Sequence, residues 1–105
     1  MEVIKRPTEG EINALKAKHG RIYEIEVGEE GNTQQVFILR EPDRATRKAV
    51  GKMAQTDPVG ASEIAVKNCV VWGDEKALDD FKIMDAVSMH FDKIMQPAES
   101  RLKNL

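Results

Sequence analysis

The chain has little of what builds most reactive sites. Of its 105 residues, one is a cysteine (Cys69) and two are histidines (His19 and His90). A single thiol forms no internal disulfide, so nothing ties the fold to an oxidising compartment. Aromatic residues are scarce at 5%, with one tryptophan, one tyrosine and three phenylalanines. Charge of one sign is not in excess either. Sixteen Lys and Arg stand against eighteen Asp and Glu, for a net charge of −2. That balance gives no basic footprint for nucleic acid, whose binding needs clustered cations to displace counterions. The opening segment, Met1-Glu2-Val3-Ile4-Lys5-Arg6-Pro7, lacks the apolar run of a signal peptide. No stretch approaches the roughly 18–20 apolar residues needed to cross a bilayer. The expected compartment is the cytoplasm, the expected cofactor none.

What is there is ordinary globular material, 41% hydrophobic and 32% charged, in an amount that suits one domain over residues 1–105. Thr8 with Glu11 three residues later forms a capping box, and Gly20 supplies the left-handed stop, so a helix is expected from Glu9 to His19 with Ile12 and Leu15 on its apolar side. Residues 21–40 read as a β-hairpin. Tyr23, Ile25 and Val27 alternate with Glu24 and Glu26, and Gly28-Glu29-Glu30-Gly31-Asn32 makes the turn. Thr33 to Arg40 is the second strand, in which Val36, Phe37, Ile38 and Leu39 are apolar on both faces. Such a strand wants cover on both sides. Helices serve for one side, and a second copy of the chain or a partner protein is the expected cover for the other.

Residues 43–105 read as helical. Asp43 caps a helix from Arg44 to about Gln55, with Ala45, Ala49, Val50 and Met53 at helical spacing. Asp57-Pro58 restarts a third helix to Asn68 or Cys69, with Ala61, Ile64, Ala65 and Cys69 inward. Val70-Val71-Trp72 is an apolar exit closed by Gly73, and Asp74 to Asp79 is a turn or helical turn. From Asp80 a long helix carries Phe81, Met84, Val87, Phe91, Ile94 and Met95 at helical intervals, the first five inward, until Pro97 ends or kinks it. With strands early and helices late, the expected fold is α+β: an N-terminal helix, a β-hairpin, then a bundle of three to four helices.

No arrangement of residues announces catalysis. The two histidines are far apart in sequence and neither has a cysteine or histidine beside it, so no metal set is expected. Cys69 with His90 is the one imaginable nucleophile pair, but Cys69-Val70-Val71-Trp72 is an apolar context in which a cysteine fills a core. Asp74-Glu75 and Asp79-Asp80 sit where a helix begins and suit its dipole better than acid–base work. Gly28 and Gly31 flank an acidic hairpin turn, not a phosphate loop. The residues with binding character are apolar: Val36, Phe37, Ile38 and Leu39 on the hairpin, and Trp72, Met84, Met89 and Met95 toward the C-terminal helices. Flexible methionines and a tryptophan are the kind of residues that interfaces favour.

Three segments carry a family resemblance: Arg40-Glu41-Pro42-Asp43-Arg44-Ala45-Thr46, Asp57-Pro58-Val59, and Ala65-Val66-Lys67-Asn68-Cys69-Val70-Val71. In their order, between a β element and an acidic turn before a last helix, they resemble the tail assembly chaperones of long-tailed phages and prophages over about residues 21–95. The N-terminal helix is not a feature of that pattern. The resemblance implies a non-enzymatic protein in the bacterial host cytoplasm that binds a long helical tape-measure protein, or tail-tube subunits, during tail assembly. It implies no catalytic residue. The competing expectation is a small structural or adaptor protein that self-associates through its hairpin.

Overall fold

The computed structural model describes residues 5–29 and 32–105. The first helix, α1 (Glu9–His19), forms where the capping box places it. The Thr8 hydroxyl accepts the Glu11 backbone N–H at 3.1 Å, and the Glu11 carboxylate accepts the Thr8 N–H at 3.1 Å. Gly20 ends it with a φ of 77°. Strands β1 (Ile22–Glu29) and β2 (Asn32–Arg40) follow as an antiparallel pair, with a register shift at Val27/Gly28. Glu30 and Gly31 of the expected turn lie outside the described residues.

Past β2 the chain turns at Pro42. Asp43 caps α2 (Arg44–Ala54) by accepting the Thr46 N–H at 2.7 Å, and Asp57 caps α3 (Pro58–Cys69) by accepting the Gly60 N–H at 3.0 Å. Arg40 ties the end of β2 to the far end of α3, donating to the Asn68 carbonyl at 3.1 Å, where a cation suits the helix dipole. Val70–Trp72 then returns to the sheet as β3, antiparallel to β2, so the sheet order is β1-β2-β3 and β2 is central. The apolar exit expected here is thus a third strand, and residues 43–105 are not purely helical. A short 3₁₀ turn, η1 (Glu75–Asp79), leads into α4 (Phe81–Ile94), capped by Asp80. Residues 97–105 have no regular secondary structure. The fold is α+β, as the order of elements implied.

The register sorts the side chains. Ile25 faces Phe37, Tyr23 faces Leu39, and Leu39 faces Val70. Ile25, Phe37, Leu39 and Val70 meet Ala65, Val66 and Cys69 of α3, Leu78 of η1, and Met84, Val87 and Phe91 of α4 in one buried cluster. The opposite side carries Val36 and Ile38, paired with Glu26, Glu24 and Trp72. This side was expected to need a second copy or a partner. The chain closes it internally, leaving Val36 at 3% and Ile38 at 1% exposure. The segment leading from Lys5 into α1 lies on this side. Arg6 pairs with Glu26, Glu11 bonds Trp72, and Ile12 and Leu15 are half-buried on α1, which packs against β1.

Two inward assignments fail. Phe81 is 69% exposed and Ile64 46% exposed, with Val66 taking the core position next to Ala65. Ala45 and Ala49 of α2 are also exposed, and Ile94 and Met95 are only half-buried. Gly73 has a φ of 124°, and a Cβ there would stand 2.7 Å from Phe37 Cδ1 and 2.8 Å from the Val36 carbonyl oxygen. Only glycine lets the chain leave β3 this close to β2.

The burial difference along α4 gives a direct test. Phe91→Ala should lower stability by about 3–5 kcal/mol through a core cavity. Phe81→Ala should change it by less than about 0.5 kcal/mol, the range of surface changes. Chemical denaturation of the two variants checks this, and equal losses would contradict the assigned faces.

Candidate protein-binding surface

The structure separates the eight candidate binding residues by depth. Val36, Phe37, Ile38 and Leu39 are interior, and Met84 belongs to the main core at 3% exposure. Along Val36–Leu39 neither side of β2 is open to a partner: Phe37 and Leu39 are buried among residues of α3 and α4, and Val36 and Ile38 on the opposite side are buried as well. Trp72 and Met95 are half-buried. Met89, at 70% exposure, is the one that stands clear of the surface.

Trp72 is a tie rather than a free anchor. Its indole N–H donates to Glu11 Oε2 at 3.1 Å, and the Lys5 ammonium lies 6.0 Å from the ring centroid. One carboxylate thus serves both the α1 capping box and β3. The Thr8 backbone N–H, and after it the Trp72 indole, hold the Glu11 carboxyl below the usual carboxylate range. Sequence pattern offered no sign of this link, because Glu11 and Trp72 are joined only by the sheet.

Cys69 is fully buried at the end of α3, and no hydrogen bond joins it to His90, which is exposed on α4. Burial pushes the thiol above its ordinary value, against a weaker opposing pull from Arg40. Among the described residues no group of three or more His, Cys, Asp or Glu is arranged to hold a metal ion. No helix among them is long and apolar enough to cross a membrane.

The feature that pattern reading missed lies between α3 and α4. A groove of about 340 Å³ runs there, with Val59 and Met89 as its large apolar side chains, Ser62 and Ser88 between them, and Glu63, Asp85 and Asp92 along it. Val59 is 66% exposed, comparable to Met89. Phe81 stands one helical turn before Asp85 on the same side of α4, so Phe81, Asp85, Met89 and Asp92 form a single stripe. The available signal was the second periodicity on α4. Positions 84, 87 and 91 mark one side, and 81, 85, 89 and 92 mark another that alternates apolar and acidic.

Two measurements follow from this geometry. The Glu11 carboxyl is lowered by bonds made only in the folded chain, so its contribution is present above the ordinary value of 4.5 and is lost as pH falls through the lowered value. Trp72 is the only tryptophan, so its fluorescence should move to the red across that acid range, and Glu11→Gln should abolish this step; an unchanged profile in the variant would contradict the tie. Cys69 should react with a thiol reagent only as fast as the chain opens, because thiolate character and access are both suppressed. Stoichiometric labelling at the rate of a free peptide thiol would contradict its burial.

Comparison with known proteins places the fold without naming an activity. No family model matches the chain, and no curated protein matches it. Among solved structures, the uncharacterised protein rbstp2171 from Bacillus stearothermophilus is similar, with a TM-score of 0.62 and 25% sequence identity over 88% of this chain and 99% of that one. The two chains share an architecture across nearly the whole of that protein. None of these matches indicates a tail assembly chaperone family or any other function.

Proposed function

We propose that this chain is a non-enzymatic protein-binding module whose working surface is the α3–α4 groove. The observation that carries the reading is the exposure of Val59 and Met89 on opposite walls of that groove, with Phe81 further along α4. Large apolar side chains on adjoining helices, bordered by carboxylates, suit the docking of one side of another helix. Methionine adapts its shape to varied apolar partners, which fits a surface that meets many segments of one long chain.

The resemblance of residues 21–95 to tail assembly chaperones supplies the kind of partner: a long helical tape-measure protein, held soluble in the host cytoplasm while the tail is built. This part rests on the sequence segments and not on the groove. The competing adaptor reading relied on the apolar faces of the hairpin, and burial of Val36 to Leu39 leaves it without that surface.

Coexpression with a tape-measure-like protein tests the proposal. The wild-type chain should raise the soluble yield of the partner and travel with it in gel filtration. Val59→Glu with Met89→Glu should weaken the complex roughly tenfold or more, as removal of central apolar contacts does, while leaving the melting curve unchanged. A double variant that retains the partner as well as the wild type would sink the groove as the binding surface.

A further inference from the structure

We infer that in the free protein the α3–α4 groove receives α2 of a second copy of the chain. The inference rests on the reading of the groove as a protein-binding face and names its first occupant.

Both halves of the contact are present on one molecule. Helix α2 carries Arg44, Arg47, Lys48 and Lys52 and no acidic residue. All four cations are exposed, and none makes an ion pair among the described residues. At 3.6 residues per turn, Arg44, Lys48 and Lys52 fall on one side of the helix, and Val50 and Met53 on the side that packs on the chain. Gly51 interrupts the outward side, with nothing within 4 Å of the position its Cβ would take. The helix is therefore low in its middle and lets a second helix approach.

The groove has the complementary character. Glu63, Asp85 and Asp92 line it, no Lys or Arg does, and none of the three carboxylates is ion-paired among the described residues. Net charge of the chain is only −2, so these are segregated patches and not a reflection of overall composition. Helix α2 packs on α3 of its own chain and cannot fill its own groove without leaving that helix. A second copy has no such constraint. Donor and acceptor are different surfaces, so the contact is head-to-tail and propagates into open chains or closes into a ring. A helix of this length covers a small area, which sets the affinity at roughly micromolar or weaker. A longer helical partner then competes with α2 for the same groove.

Sedimentation velocity on the full chain reads the outcome. At about 50 mM salt the mean mass should rise with concentration, and at about 500 mM the association should weaken roughly tenfold, because exposed charges are screened. Two surface variants sharpen the test: Arg44→Glu with Lys48→Glu on the donor helix, and Glu63→Lys with Asp85→Lys in the groove. Each alone places like charges in the contact and should be monomeric with an unchanged melting curve. Mixed in equal amounts they should associate again, since the acidic α2 of one meets the basic groove of the other and the wild-type pairing holds in the reverse direction. A wild-type chain that stays monomeric at low salt, single variants that associate like wild type, or a folded mixture that stays monomeric would each overturn the inference. If the wild type is monomeric but Val59→Glu with Met89→Glu still releases a coexpressed helical partner, the groove stands as a binding face and only α2 is excluded as its occupant.

Discussion

Four consecutive apolar residues in the middle of β2, Val36 to Leu39, set the terms for everything around them. A strand of this kind exposes hydrophobic surface on two sides and unpaired backbone on two edges. The chain answers all four demands itself. Strands β1 and β3 take the edges, α3 and α4 take one side, and the segment from Lys5 through α1 takes the other. Among the described residues this last cover includes a half-buried pair, Ile12 and Leu15, and polar ties at Glu26 and Trp72. Polar ties at an exposed rim contribute little individually. The α3–α4 side is held by the main core.

Covering the sheet also decides what is left for binding. Helix α4 has one inward side, spent on Met84, Val87 and Phe91. Ile83 and Ile94 pack partly buried against that core, but Phe81 and Met89 stay exposed. They share their side with Asp85 and Asp92, and the facing residues of α3 are Val59 and Glu63.

Local chemistry was legible in the sequence wherever one or two neighbouring residues determine a conformation. Thr8 with Glu11, Asp43 before Arg44, and Asp57-Pro58 mark their helix starts with donors and acceptors a few positions apart, and all three helices begin there. Strand β3 was not legible, because three apolar residues show no alternation and their partner lies beyond two helices. Phe81 was misread for a geometric reason. At 100° per residue Phe81 sits about 90° from the centre of the side formed by Met84, Val87 and Phe91, at the border of that side and able to pass as inward by spacing alone. The hairpin residues were singled out correctly as unusual, but double-sided apolar character signals a central strand at least as well as an interface. The groove belongs to the tertiary pairing of α3 with α4, and no reading of either helix separately contains it.

The position of β3 carries a further consequence. Leu39 and Ile38 complete their pairing only when Val70 and Trp72 arrive, after the α2–α3 hairpin has been made. During synthesis from the N-terminus, the β1–β2 hairpin is finished while its Phe37 and Leu39 side still awaits α3 and α4. The nascent chain thus passes through a stage in which a sheet edge and an apolar surface are both uncovered, a stage prone to aggregation. Fast closure of the local α2–α3 hairpin, which brings β3 back alongside β2, shortens that exposure. The β2 edge at Ile38 and Leu39 therefore stays unpaired until residues up to Trp72 have left the ribosome.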